Sequence, residues 1–406
     1  MVEQQPNDAT SYRSGSNQIA VKQFNERLII DIVATSNGIS KADITRLTGL
    51  SAQTVTTIVN RLIHEEILFK GDVIKGKVGQ PSTLIELNDA GATAIGIKIG
   101  RRSANVLMVG LTAKVAMRRS FSYQYPDHNE LFHWIGTTVA EMIDTLSDDQ
   151  KSKFIGIGVA APFELDGWEG VISAPAGEMI KWKNIDIAKE VGRITNQQTF
   201  LLNDATAACL AELRMIGARQ NASFLYFYVG TFLGGGVVLD GKILNGNTGN
   251  AGSVGSIPTS LANENKPAQM VNAAAIHELE VMCIKHGLAR DTFAGDRDFT
   301  KEELDLYDKW AEAAGNSLAY AILSGQSFFD LDDVVIDGSL RHDLMEKLVA
   351  TVETCFARYD TQGLRLPQVR VGNLGNDARA IGGSFLPIYE QFGLDQSVIF
   401  KSYSKD

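Results

Sequence analysis

From residue 94 onward the chain returns repeatedly to one device: a short apolar run that contains or meets a glycine. Residues 94–100, 106–111, 154–160, 224–229 and 333–339 are of this kind. Such runs are too short for buried helices and read as strands, buried on both faces where apolar residues do not alternate with polar ones. A shorter run, Phe200-Leu201-Leu202, leads into Asn203-Asp204 and a helix expected to begin near Ala205. Helical stretches lie between the strands, so residues 89–406 are predicted to be α/β. Glycine-containing strand pairs occur once in each half, which predicts a duplicated, two-lobed body with a cleft between the lobes. The expected lobes are 89–198 and 199–406, with the C-terminal helix returning to the first.

Residues 17–88 have a different rhythm. Phe24, Leu28, Ile29, Ile32 and Val33 recur at helical spacing, and Asn37-Gly38 suits a helix end with positive φ. Ser40 can cap a second helix carrying Ile44 and Leu47. Gly49 then gives a tight turn, and Ser51 can cap a third helix with Val55, Ile58, Val59, Leu62 and Ile63 on one side. Two short helices across a glycine turn are a helix-turn-helix. The polar side of the third helix carries Ser51, Gln53, Thr54, Thr57, Asn60 and Arg61, residue types that read base edges or phosphates in a major groove. Two strands follow, at 67–69 and 83–87. Between them runs a basic tip in which Lys75 and Lys77 could reach phosphates and Gln80 the minor groove. The segment is therefore predicted to be a winged helix-turn-helix; the bland reading is a small helical domain with a solvated polar face.

Charge alone does not decide between these. The 406-residue chain has a net charge of -10, yet residues 17–88 hold eight Lys and Arg against seven Asp and Glu. The acidity lies in the body, and a near-neutral head binds DNA if its cations share a face. Cys209, Cys283 and Cys355 are scattered and odd in number, which fits free thiols in a cytoplasmic protein and offers no paired zinc ligands. No apolar run reaches membrane-spanning length, and residues 1–16 are polar and read as a tail.

Several body motifs, taken together and in order, resemble the ROK family, which holds sugar kinases and sugar-responsive repressors on an actin-like, hexokinase-like ATPase fold. They are Gly156-Ile157-Gly158 with Ala161-Pro162, Asn203-Asp204-Ala205 with Ala211-Glu212, and Gly230-Thr231 with Gly234-Gly235-Gly236. Gly246-Asn247-Thr248-Gly249-Asn250-Ala251-Gly252 and Leu374-Gly375-Asn376-Asp377-Ala378 follow. A winged helix at the front is the arrangement of the family's repressors.

The departures from that pattern bear on chemistry. Where the resembled kinases carry Asp-x-Gly-Gly-Thr, this chain has Lys98 and Gly100-Arg101-Arg102. A protonated lysine cannot hold the cation that phosphoryl transfer needs, and arginines fill space meant for small residues; alternatively, Lys98 pairs with an acid elsewhere. The second glycine run, Gly234 to Gly236, either cradles an anion through backbone N–H groups or makes a tight turn under a packed helix. By resemblance Asp204 stands where the kinases have their base and Asn203 where they bind a hydroxyl, but Asp204 could equally cap the helix at Ala205. Ser253 and Ser256 replace the family's sugar-gripping Glu and zinc-binding His, and residues 261–270 contain no cysteine. Ala268 and Gln269 stand near the family's last sugar-binding Glu, and Ala176 follows Ala174-Pro175 where the family often has Asn. The expectation is a DNA-binding regulator, a repressor without kinase activity, metal or cofactor. It would act as a homodimer or homotetramer on a double-stranded operator and respond to a sugar-like effector held by Asn203, Asp204 and Ser253. The alternatives are a sugar kinase with an altered ATP site and a ligand-independent scaffold. His277 and His286 read as ordinary surface histidines, and Trp168 and Trp182 as packing residues.

Overall fold

The computed structural model describes residues 18–74, 81–162, 165–166, 174–215, 222–259 and 268–394. Lys75, Lys77, Gln80 and Trp168, and the expected tail at 1–16, lie outside them. Two compact units form: the residues up to Leu87 with those from Tyr389 onward, and Asn88–Ile388.

In the first unit, helix α1 (Gln18–Ala34) precedes strand β1 (Ile39–Ser40), α2 (Lys41–Thr48), α3 (Ala52–His64), β2 (Leu68–Ile74) and β3 (Ser82–Leu87). The boundaries follow local chemistry. Ser40 Oγ accepts the Asp43 N–H and Ser51 Oγ the Thr54 N–H, each satisfying an orphan donor of a first helical turn. Gly49 ends α2 at φ 67°, where a side chain would be strained. Ile29, Ile32 and Val33 of α1 are buried with Ile44, Val55, Val59, Leu62, Leu68 and Ile85. Leu47, expected in this core, is half exposed: α2 is only eight residues long and buries Ile44 alone. The sheet order β1-β3-β2 makes β2 and β3 an antiparallel hairpin. Arg27 donates to the carbonyls of Glu390 and Gly393, at 3.0 and 3.3 Å, which caps the end of the last helix.

The second unit holds two five-stranded sheets among the described residues. The first comprises β4 (Thr93–Ile99), β5 (Ser103–Gly110), β6 (Val115–Ser122), β7 (Phe154–Ala161) and β8 (Thr199–Asn203), in the order β6-β5-β4-β7-β8. The second comprises β9 (Phe224–Val229), β10 (Leu233–Leu239), β11 (Lys242–Ile243), β12 (Asp333–Gly338) and β13 (Gln368–Val371), in the order β11-β10-β9-β12-β13. Each sheet is an antiparallel meander whose first strand is joined on its other side by two parallel strands. The duplication is thus one of topology. Strand β8, expected to open the second lobe, belongs to the first sheet, because residues 199–203 pair in parallel with Ile157–Ala161.

Glycines set how closely the layers approach. The final helix, Ala378–Phe392, crosses the first sheet, and a Cβ on Gly158 would lie 1.9 Å from the Gly383 carbonyl oxygen. That carbonyl has no helical partner, because the residue four further on is Pro387, which lacks an N–H. Gly382 likewise meets the backbone of Ala207, whose carbonyl oxygen would be 1.8 Å from an added Cβ. Gly158→Ala should therefore cost about 1–3 kcal/mol of stability through overpacking, read as a lower urea midpoint at unchanged slope. An unchanged midpoint would mean that the helix can move away from the strand.

The helix Asp204–Met215 is fastened to the second sheet by an ion pair between buried Glu212 and half-buried Arg370. Glu212 is fully buried; it accepts from Arg370 Nη1 at 2.7 Å, Asn373 Nδ2 at 2.8 Å and the Asn373 N–H at 3.1 Å.

Candidate functional site

On α3 the burial of Val55, Ile58, Val59 and Leu62 turns Gln53, Thr56, Thr57 and Asn60 to solvent. Gln53, Thr57 and Asn60 follow one helical stripe. Thr56, exposed beside them, was not singled out from the sequence because its side chain is as ordinary on a solvated face as on a reading one. Ser51 and Thr54 spend their side chains on the cap, with their hydroxyls 2.8 Å apart. Thr57 Oγ1 donates back to the Gln53 carbonyl at 2.9 Å, leaving its methyl outward. Asn60 Oδ1 accepts from Lys41 Nζ at 2.7 Å, so a cation of α2 sits beside the stripe. Arg61, counted above with the outward residues, is engaged inside the head: it pairs with Glu26 of α1 and, at 3.6 Å, with Glu65. The hydrogen bond to Glu26 raises its pKa further.

In the body, Asn203, Asp204 and Ser253 line one cavity of about 260 Å³, together with Asn250, Ser256 and Gln269. The local fold explains how. Asn203 Oδ1 accepts the N–H groups of Ala205 and Thr206 at 3.0 and 3.3 Å, so Asn203 caps the helix. Asp204, the alternative cap, is the first helical residue and its carboxylate is left for the cleft. Ser253 and Ser256 are exposed, and their hydroxyls lie 3.3 Å apart. Gly234, Gly235 and Gly236 are not a loop: they lie within β10, paired with Tyr228, Phe227 and Tyr226. An added Cβ would fall 2.6 Å from the Ala205 Cβ at Gly234 and 2.6 Å from the Cys209 Cβ at Gly236. Gly234 and Gly236 therefore let the helix Asp204–Met215 lie flat on the strand, while Gly235 faces Val254 and Gly252 on the other side. The turn itself is residues 230–232.

Two arginines form the far wall of the cavity. Arg379 Nη1 lies 3.5 Å from Asp204 Oδ2, with its guanidinium 4.6 Å above the Tyr228 ring. Arg101 stands 4.0 Å above the Phe232 ring. Both also line a second cavity, of about 540 Å³, with Lys98, Arg102, Glu280 and Arg341. Burial lowers the Arg101 pKa to about 10, so it remains cationic at neutral pH. Burial would lower Arg379 too, but Tyr228 and Asp204 more than offset it. Arg379 and its aromatic platform escaped the sequence reading, since 175 residues separate it from Asp204.

Lys98 is buried and pairs with no acid among the described residues; its Nζ donates to Ser103 O at 3.0 Å and Ser103 Oγ at 2.8 Å. The alternative in which it pairs with an acid is thereby corrected: the hairpin between β4 and β5 folds the amine onto its own turn. Burial, then the charge of Arg379, depress its pKa from 10.5 to about 7, against the pull of Asp204. An unfolded lysine keeps its proton up to about pH 10.5, so the folded state binds fewer protons between pH 7 and 10.5 and gains stability as pH rises through that window. Wild-type protein should gain roughly 2 kcal/mol more than Lys98→Met between pH 7 and 9, measured by urea unfolding at each pH. Parallel pH profiles for the two would show that Lys98 ionises as an ordinary lysine.

Of the remaining residues, Trp182 is buried, donates to the Pro126 carbonyl at 2.9 Å and packs on Phe132. His277 lies 3.8 Å from Glu280, and His286 contacts the Met282 carbonyl at its helix end. Among the described residues no three His, Cys, Asp or Glu side chains gather as metal ligands, and no helix is long and apolar enough to cross a membrane.

The profile of the ROK family matches residues 94–389, which takes in both sheets and the cleft. The chain belongs to the ROK family. Relatives of this ROK protein include both regulators and kinases. The DNA-binding transcriptional dual regulator NagC of Escherichia coli is 23% identical over 372 residues, covering 86% of this chain and 89% of its own. A glucokinase of Halalkalibacterium halodurans is 26% identical over 324 residues, covering 72% of this chain and 94% of its own. Among solved structures, a ROK family transcriptional regulator described as a homolog of the E. coli MLC protein superposes with a TM-score of 0.67. It has 17% identity and covers 94% of this chain and 99% of its own. The fold is thus a two-lobed actin-like, hexokinase-like α/β body behind an N-terminal winged helix-turn-helix.

Proposed function

We propose that this ROK protein is a sequence-specific transcriptional regulator, a repressor, that binds a double-stranded operator through α3 and a sugar-like effector in the cleft. The observation that carries the reading is the stripe Gln53, Thr57 and Asn60, with Thr56, on a helix held by a capped α2–turn–α3 pair. Gln and Asn match adenine edges, and a threonine methyl matches that of thymine. One such helix reads only a short half-site, so the active form is a homodimer or homotetramer on a two-fold operator. Names such as transcriptional dual regulator and transcriptional regulator among relatives that span both head and body support this reading. An effector that prefers one conformation of the body would shift DNA affinity by that preference.

The test is selection from random duplex DNA with the full chain at near-physiological salt. Enrichment of one inverted repeat is expected; a folded, active preparation that enriches nothing would sink the assignment. A second reading, sugar kinase, draws on Asp204, whose carboxylate faces the cleft rather than capping its helix. It requires sugar-dependent ADP release that Asp204→Asn abolishes. Against it stand Lys98 and Arg101, which place cations where phosphoryl transfer calls for a metal ligand and open space.

A further inference from the structure

We infer that Lys41 is a specificity residue of the DNA-reading face: it holds Asn60 as a hydrogen-bond donor, and the two together recognise a guanine in each half-site. This rests on the reading of α3 as the recognition helix and narrows what one end of its stripe reads.

Gln53, Thr57 and Asn60 stand at i, i+4 and i+7 on α3, so Asn60 ends the stripe. A free asparagine amide offers a donor and an acceptor side by side, the complement of adenine. This amide is not free. Its Oδ1 accepts from Lys41 Nζ at 2.7 Å. The contact also fixes which way round the amide sits, because an ammonium has no acceptor to offer an NH2 group. What Asn60 has left for DNA is Nδ2, a donor, and Lys41 brings further N–H groups of its own. The pair therefore presents donors alone. In the major groove guanine shows two adjacent acceptors, O6 and N7, whereas adenine would set its N6 donor against them.

The fold keeps the cation at this place. Ser40 pairs with Leu84 across the β1–β3 ladder and accepts the Asp43 N–H at 3.1 Å, which anchors the backbone leading into Lys41. The acid of α2, Asp43, is occupied by Arg46 and by Ser40 Oγ, each at 2.7 Å. Glu26 and Glu65 are taken by Arg61. Among the described residues no carboxylate pairs with Lys41, so no acid draws its ammonium away from Asn60.

The test is selection from random duplex DNA by the full-length wild type, Asn60→Ala, Lys41→Met and Lys41→Arg, at one fixed salt concentration. Asn60→Ala locates the contact: it should flatten the preference at one base pair of each half-site and leave the others. At that base pair the wild type should favour G·C over A·T by about tenfold or more in anisotropy titrations of the two duplexes. Lys41→Met frees Oδ1, and the preference should fall to parity or pass to A·T. Lys41→Arg keeps a donor and should keep guanine. Asn60 is exposed and Lys41 half-buried, so the thermal midpoints should stay close to that of the wild type. A wild type that enriches A·T at the Asn60 position overturns the inference and leaves the recognition helix standing. So does a motif in which Asn60→Ala flattens no position, or a guanine preference that Lys41→Met leaves intact. Loss of the same factor on every duplex by Lys41→Met also overturns it, since that is the mark of a phosphate contact. Enrichment of no motif by the wild type overturns the operator reading as well.

Discussion

The triple substitution Gln53→Ala, Thr56→Ala, Thr57→Ala is expected to lower affinity for the selected operator by about a thousandfold, from roughly 1–3 kcal/mol per lost base contact. Binding to unrelated duplex should change little, because none of the three carries a charge and phosphate attraction supplies the non-specific part. The thermal midpoint should stay within a few degrees, since the stabilising side of α3 is Val55, Ile58, Val59 and Leu62 and the cap is Ser51. Fluorescence anisotropy at one fixed salt concentration, on operator and scrambled duplex in parallel, separates these effects. Arg61→Ala provides the contrast. Its guanidinium is committed to Glu26 and Glu65, so its loss should loosen α1 from α3 and reduce stability more than specificity. If the triple variant kept its preference for operator over scrambled DNA, the reading surface would lie elsewhere than on α3.

The head was legible because its punctuation is local. Ser40, Gly49 and Ser51 each act on residues within four positions, and the apolar spacing shows which side of each helix turns inward. The fate of Arg61 was not legible, because Glu26 lies on another helix and periodicity does not say which neighbour meets a half-exposed side chain. In the body, strands were readable as apolar runs, but the triple glycine misled. Glycine is poor in strands, so three in a row suggest a loop. Here they mark a strand with no room for a Cβ on either face, Gly234 and Gly236 lying beneath a helix, a fact that belongs to packing. The pair Asn203-Asp204 was ambiguous for a similar reason. Either side chain caps a helix, and a shift of one residue in the helix start decides which is left for the cleft. The arginine wall of the cleft was visible only in part. Lys98 and Arg101 stood out as departures from the family pattern, but Arg379 reaches them by a tertiary route.

That same helix, from Asp204 in the cleft to Glu212 at its far end, gives the largest expected change in stability. Arg370→Met should cost about 3–5 kcal/mol, because it leaves the fully buried Glu212 carboxylate with Asn373 alone to replace water. The loss is chiefly the penalty of an uncompensated buried charge rather than the net worth of the pair. The double variant Glu212→Leu with Arg370→Met should therefore recover most of it, and a double-mutant cycle from urea titrations gives the coupling directly. A single-variant cost below about 1 kcal/mol would show that water reaches Glu212, as at a surface pair. The position of the pair adds a functional consequence. Strand β8 leads directly into this helix from the first sheet, while Glu212 holds it to Arg370 on β13 of the second, so the helix ties both sheets to Asp204. Loosening its far end lets the Asp204 end move relative to Arg379. Arg370→Met should then weaken the cleft's ligand although Arg370 does not line the cavity, and the double variant should restore binding in step with stability. Recovery of stability without recovery of binding would mean that the charged pair itself, rather than the anchorage it provides, positions the cleft.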